Sequence, residues 1–237
     1  MPLGARIRGY LRRLRIGHPP FNRDVRLDVD YLGSGYGGWA VSPSTLPARP
    51  VVYSFGVGED LTFDIAMVLH RGARVWAFDP TPRSVTWIRE QVLPDGLTFV
   101  PVGIAAQDGE MTFYPPAIAG YASFSAVIQR TSAGTSVIAP VRRLRTLMQE
   151  LGHSSIDLLK LDIEGAEFSV LDDVISSGIR PLQVLVEFHP TYVERGRDRW
   201  RETVETLRRE GYGVFWISPS GEEVGLVLTE SLPTVTS

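Results

Sequence analysis

From residue 51 onward, short continuous apolar runs alternate with stretches whose apolar residues recur every three or four positions. The runs "VVYSFGV" (51–57), "RVWAFDP" (74–80), "LTFVPVGIA" (97–105), "IDLLKLDIE" (156–164) and "LQVLVEFHP" (182–190) predict buried strands. Residues 60–70 predict a helix with Leu61, Ile65, Val68 and Leu69 on one face. Thr81 is placed to cap the next helix, with Pro82 at its first position. "RRLRTLMQELG" reads as a short helix, and "AEFSVLDDVISSG" as a helix closed by Gly178. "RDRWRETVETLRREG" predicts a helix with Trp200, Val204 and Leu207 on one face and Gly211 at its end. "GEMTFYPP" predicts an extra hairpin or edge strand. "YGVFWIS" and "EVGLVLT", joined by a short "PSGE" turn, predict an antiparallel hairpin at one sheet edge. Strands alternating with helices imply an α/β fold: a mostly parallel sheet with helices on both faces.

Two segments lack this rhythm. Residues 19–50 are rich in Pro, Gly and Ser and read as a loop-rich lead-in that packs on the domain, since Tyr31, Tyr36 and Trp39 are too apolar to leave in water. Residues 117–140 read as irregular. Ahead of both, "MPLGARIRGYLRRLRIGH" places Ile7, Tyr10, Leu11 and Leu14 on one helical face among arginines. A helix packed on the domain with solvated arginines is favoured over a membrane-surface helix. The expected division is a basic helix and lead-in over 1–50 and a main domain over 51–237.

Composition narrows the function classes. With 237 residues and 43% apolar content, the chain can build a substantial core without staples. It has no cysteine, which excludes disulfides, thiolate metal sites and cysteine nucleophiles. A net charge of −3 leaves no nucleic-acid footprint. Lys160 is the one lysine among 24 basic residues. No apolar run approaches the roughly 20 residues that span a bilayer, and the N-terminal stretch lacks the apolar core of a signal peptide. A cytoplasmic protein is expected, and a homo-oligomer is compatible with the sequence.

In a parallel sheet, ligands bind beyond the carboxyl ends of the strands, near the switch point in strand order. After the first strand come Gly56-Val57-Gly58-Glu59-Asp60. The glycines allow a tight turn and close approach of a ligand. A dinucleotide fingerprint needs a further glycine where Leu61 stands, and Glu59-Asp60 repel a pyrophosphate at the helix start. A cationic ligand such as S-adenosylmethionine suits the turn better. Asp79, 21 residues beyond Gly58, is spaced to accept hydrogen bonds from a ribose diol. After the third strand, Ala105 through Asp108 are placed to meet an adenine, although Asp108-Gly109 reads equally as a hairpin turn.

The densest chemistry follows the fourth and fifth strands. Strand alternation puts Lys160, Asp162 and Glu164 on one face, a costly grouping unless paired or functional. Glu187, His189 and Pro190 stand at the neighbouring exit. A histidine there can serve as general base because its free pKa is near neutral. A divalent ion on Asp162, Glu187 and His189 is a compatible but less favoured alternative.

The segments "VVYSFGVGEDLTFD", "VWAFDPTP", "LLKLDIEGAEFSVL" and "LVEFH", with "YGGW" at 36–39, resemble the FkbM-type S-adenosylmethionine-dependent methyltransferases. The resemblance covers roughly residues 31–217. It implies a seven-stranded Rossmann-like fold and O-methylation of a small-molecule acceptor, often a sugar or secondary metabolite. It places Phe55, Gly56 and Gly58 in the cofactor turn, Asp79 and Pro80 at the ribose, Asp162 beside the transferred methyl, and Tyr36, Gly37 and Trp39 over the cofactor. Many methyltransferases begin this motif with an acid; here Ser54 takes that place and Asp60 that of the last glycine. The acid for the methionine ammonium is then expected from Glu59 or Asp60. Asp162 or His189 is expected to take the hydroxyl proton, with Glu164 and Lys160 orienting them. The competing readings are an NAD-dependent oxidoreductase and an adenosylmethionine-binding protein without catalysis.

Overall fold

The computed structural model describes residues 19–114 and 135–232. Two short strands, β1 (Asp30–Leu32) and β2 (Trp39–Val41), pair antiparallel first. There follow β3 (Val51–Phe55), α1 (Thr62–Arg71), β4 (Arg74–Phe78), α2 (Pro82–Arg89) and β5 (Leu97–Val100). Next come β6 (Gly103–Ile104), β7 (Gly109–Phe113), β8 (Val137–Arg142), α3 (Leu144–Glu150), β9 (Leu158–Leu161) and α4 (Glu167–Ser176). The chain continues with β10 (Gln183–Glu187), α5 (Gly196–Arg209), β11 (Tyr212–Ile217) and β12 (Glu223–Leu228).

The main sheet has seven strands in the order β11-β12-β10-β9-β3-β4-β5. Strands β10, β9, β3, β4 and β5 run parallel. The terminal hairpin forms as expected, with β12 inserted antiparallel between β10 and β11. Strand order reverses at β3, whose neighbours are β4 on one side and β9 on the other. The crevice for a ligand therefore opens beyond the ends of β3 and β9.

Both sheet faces are covered, which is why the strands read as apolar runs rather than alternations. Tyr53, Phe55, Leu159, Leu161, Val184 and Val186 join Phe168, Leu171, Trp200, Val204 and Leu207 in one core. Val52, Val75, Leu158 and Leu185 join Phe63, Met67, Ile88 and Trp39 in the other. Ser54 and Lys160 are register partners on β3 and β9. Alternation turns both toward this second core, which α1 covers.

Several expectations need correction. Of the helix face expected at Leu61, Ile65, Val68 and Leu69, Leu61 is buried and Ile65 and Val68 pack against the core, but the face is centred on Phe63, Asp64 and Met67, and Leu69 is 66% exposed. The run 97–105 splits after Val100, because Pro101 has no N–H for the ladder and Val102 N turns back onto Val100 O at 2.8 Å. Gly103–Ile104 then joins a second sheet of order β6-β8-β7, which also takes the predicted "GEMTF" strand. Strand β8 overlaps residues expected to be irregular, a reading that rested on the Ser, Ala and Gly content of 117–140. The fourth strand ends at Leu161, so Asp162 and Glu164 do not share a strand face. Glu164 (φ 51°) and Gly165 (φ 104°) form a left-handed turn instead.

The lead-in is also more ordered than a loop. Beyond the β1–β2 pair, the Gln183 side-chain amide donates to Ser42 O (2.6 Å) and Thr45 Oγ1 (2.7 Å) and accepts from Ser42 N (3.1 Å), tying the segment to β10. The basic N-terminal helix and most of 117–140 lie outside the described residues. Among the described residues, no helix is long and apolar enough to cross a membrane.

Candidate active site

The turn after β3 is held against β9 and β4. Asp162 N donates to Phe55 O (3.2 Å) and Gly56 N to Phe78 O (2.9 Å). Gly56 has φ 72°, and a Cβ there would lie 1.6 Å from Asp162 O. Only glycine allows so close an approach. Gly58 also has positive φ (55°), but a Cβ on it would meet nothing within 4 Å. Its N–H donates to Asp79 Oδ2 (3.0 Å), while Asp79 Oδ1 accepts from Thr81 N (2.9 Å) and Thr81 Oγ1 (2.6 Å). The 21-residue spacing thus joins the loops after β3 and β4 through one buried carboxylate. Phe55 contributes only backbone here, since its ring stacks on Phe78 at 4.3 Å in the core.

The acidic pair that follows already has partners. Glu59 pairs with Arg83 at 2.6 Å. Asp60 accepts from Ser34 Oγ (2.7 Å), Thr62 N (2.8 Å) and Thr62 Oγ1 (2.5 Å). Ser34 Oγ accepts in turn from Tyr36 N (3.0 Å) and Gly37 N (2.9 Å), so the "YGGW" turn is fastened to the start of α1. A Cβ on Gly37 would sit 2.8 Å from Asp60 Cγ. Tyr36 is 72% exposed at the turn's tip, whereas Trp39 is buried. Pro80 packs toward Gly103, and Ala105 is buried with its N–H on Arg142 O (3.0 Å). Asp108 accepts from Arg143 N (2.7 Å) and Thr146 Oγ1 (2.8 Å), so it holds the start of α3 rather than a hairpin.

Beneath the glycine turn lies the buried Lys160. Its ammonium donates to Gly56 O (3.1 Å) and Phe55 O (3.3 Å), lies over the Trp39 ring (5.4 Å) and stands 4.0 Å from Asp162 Oδ2. Asp64 on α1 is buried with it. Burial lifts the Asp64 pKa to about 6, against the opposing pull of Lys160 and the Ser54 hydroxyl. Asp64 was not anticipated from sequence. Its signal was a carboxylate three residues after Leu61, on the side of the helix that faces the sheet.

The exits of β9 and β10 converge on His189, only 3% exposed. Its Nδ1 is hydrogen-bonded to Glu167, the fully buried first residue of α4. Its Nε2 faces Glu164 Oε2 at 3.4 Å and Glu187 Oε1 at 3.7 Å, and the ring stacks on Tyr192. Burial opposes charge on the ring, but Glu167, Glu164 and Glu187 outweigh it and hold the pKa well above the usual histidine value. The near-neutral pKa behind the expected base role therefore does not hold here. Burial, then Glu187, pushes Asp162 up to about 6. Lys160, Asp162, Glu164, Glu187 and His189 are thus brought together as the sequence suggested, by a turn rather than by strand alternation. Glu167 was missed. It reads as an ordinary acid in a helix's first turn, and its clue was the three-residue spacing from Glu164.

A profile of the Methyltransferase FkbM domain matches residues 51–214. The chain is 27% identical over 175 residues to a human "Probable methyltransferase-like protein 24", covering 69% of this chain and 41% of that protein. It is 28% identical over 143 residues to the 2-O-methyltransferase NoeI of Sinorhizobium fredii, covering 54% of this chain and 57% of that protein. The chain therefore spans about half the length of these curated relatives. Among solved structures, a methyltransferase FkbM from Methylobacillus flagellatus is similar at 15% identity and a TM-score of 0.49, covering 78% of this chain and 47% of that one.

Proposed function

The chain belongs to the FkbM methyltransferase family, and from that membership we propose that it transfers a methyl group from S-adenosylmethionine to a hydroxyl of a small molecule such as a sugar or secondary metabolite. The cofactor lies on the turn of Phe55, Gly56 and Gly58, with its ribose toward Asp79 and Pro80 and its adenine toward Ala105. Tyr36, Gly37 and Trp39 flank it, and Asp60, whose partners are neutral donors, sets the negative potential its cationic end requires, while Glu59 is shared with Arg83. The acceptor oxygen attacks the methyl carbon in line with the departing sulfur. The O–C bond forms as the C–S bond breaks, and that bonding pair stays on sulfur as the neutral thioether of S-adenosylhomocysteine. The hydroxyl proton passes to the carboxylate cluster, in which Asp162 stands nearest the glycine turn. Lys160 holds the turn's carbonyls, while His189, Glu164 and Glu167 orient the cluster.

One observation carries this reading. The approach of Gly56 to the Asp162 carbonyl sets the glycine turn directly beside the carboxylates, which supports a cofactor on that turn. Relatives named as methyltransferases support the reaction class, and the 2-O-methyltransferase NoeI supports oxygen as acceptor. The test is calorimetry with S-adenosylmethionine, S-adenosylhomocysteine and NAD⁺, then labelled-methyl transfer across hydroxylated acceptors. Both adenosyl ligands are expected to bind and NAD⁺ not. Asp162→Asn is expected to lower turnover about 10²-fold or more, as loss of a general base does, with little change in cofactor affinity. NAD⁺ binding alone would point to an oxidoreductase. Cofactor binding without transfer to any acceptor would point to a binding protein.

A further inference from the structure

The two acids at the start of α1 are held differently. Glu59 is paired with Arg83, whereas Asp60 accepts from the hydroxyl of Ser34 and from the N–H and hydroxyl of Thr62, all neutral donors. Ser34, in the lead-in segment, reaches both oxygens of the Asp60 carboxylate. Its own hydroxyl donates to Oδ2 at 2.7 Å. Its backbone N–H donates to Thr62 Oγ1 (2.8 Å), whose proton goes to Oδ1 at 2.5 Å. The direction of the first bond is fixed, because Ser34 Oγ already accepts from Tyr36 N (3.0 Å) and Gly37 N (2.9 Å). With both lone pairs taken, the hydroxyl can only donate, and the two N–H groups polarise it to do so. A carboxylate offers about four acceptor sites. Ser34 and Thr62 fill three of those on Asp60, and the one left is on Oδ2 of a partly exposed side chain.

Resting on the methyl-transfer reading for the identity of the ligand, we propose that Ser34 is a positioning residue for the cofactor: it aims Asp60 at the ammonium of S-adenosylmethionine and ties that acid to the turn that flanks the cofactor. Ser34 acts through Asp60 and touches no cofactor atom. Its two routes, one to each carboxylate oxygen, fix the plane of the carboxylate and turn the remaining Oδ2 site toward the ligand. The ammonium has three N–H donors and no acceptor, so it suits a site that offers only a lone pair. The oxygen that aims the carboxylate also takes the N–H groups of Tyr36 and Gly37. An ammonium on Asp60 therefore steadies the Tyr36–Gly37 turn, and the turn in place steadies the acid by the same factor.

The test is calorimetry of the full chain and its Ser34→Ala variant with three ligands. S-adenosylmethionine and S-adenosylhomocysteine carry the ammonium; 5′-methylthioadenosine keeps the adenosine and the sulfur but lacks it. Ser34→Ala is expected to weaken the first two about tenfold or more, the effect of losing a hydrogen bond to a charged group, and to leave the third little changed. A residue that merely shaped the fold would move all three together. Gly37→Ala, whose methyl would lie 2.9 Å from Asp60 Oδ2, is expected to show the same split, and it replaces Ser34→Ala if circular dichroism finds that variant unfolded. In an Asp60→Asn background, Ser34→Ala should weaken S-adenosylmethionine no further. Equal loss of all three ligands, unchanged affinity for all three, or an undiminished effect in the Asp60→Asn background would each overturn the proposal and leave the methyl-transfer reading standing. A native chain that binds neither ammonium-bearing ligand removes the methyl-transfer reading, and the proposal with it.

Discussion

Replacing Gly56 and Gly58 singly by alanine separates two residues that look alike in the sequence. Both have positive φ, so each alanine adopts a left-handed conformation costing roughly 1–2 kcal/mol. At Gly58 that is the whole cost, because the new methyl meets nothing within 4 Å. At Gly56 the methyl would fall 1.6 Å from the carbonyl oxygen of Asp162, and backbone cannot swing aside as a side chain can. The end of β9 must shift, which adds about 1–3 kcal/mol by analogy with overpacked cores. Gly56→Ala is therefore expected to lose about 2–5 kcal/mol in total, a large share of the 5–15 kcal/mol typical of a domain. Urea unfolding reads the difference as a lower midpoint for Gly56→Ala at unchanged m-value. Its displaced Asp162 should also lower turnover in any acceptor assay. Equal midpoints for the two variants would refute the claim that β9 presses on the turn.

Lys160→Met should cost about 3–5 kcal/mol in the same unfolding assay, since it strips a buried counter-charge from Asp64 and Asp162 and a donor from two carbonyls; a loss under about 1 kcal/mol would contradict that role. The prediction for Asp64 concerns pH. Its folded pKa, about 6, exceeds the 3.8 of an ordinary aspartate, so the folded state binds the proton more tightly. The stability this contributes is full below about pH 4 and is lost as pH rises through 6, a change of about 3 kcal/mol at 1.36 kcal/mol per unit. Stability measured for the native chain relative to Asp64→Asn should fall by that amount between pH 4 and 7, and a flat difference would exclude the buried ionisable carboxylate.

The strand ends were readable because their chemistry is local or regularly spaced. Gly56 and Gly58 follow an apolar run directly, and Asp79 closes the next one, so their meeting follows from two parallel neighbours in register. Trp200, Val204 and Leu207 were readable for the same reason: one helical period explains all three. The missed residues owe their roles to partners far along the chain. Asp64 is buried against Ser54 and Lys160, and Glu167 is bonded to His189; Glu59 and Asp60 were named from sequence, but not their engagement by Arg83 and Ser34. None of these pairings has a repeat that a sequence could display. Strand β8 was hidden similarly, since its partners β6 and β7 reach it across a long connection.

The sequence by itself determined the alternation of strands and helices, the glycine turn, the carboxylates after β9 and β10, and the family to which they belong. These follow from backbone periodicity, glycine's conformational range and short-range spacing, all properties of neighbouring residues. Only the tertiary structure decided which acids are engaged, that three glutamates surround His189 and raise its pKa, and that Glu164 rather than Glu187 lies nearest its inward nitrogen. Those outcomes depend on burial and on charges packed together from separate strands and helices, and electrostatic energy in a dry interior follows distance through space, not distance along the chain.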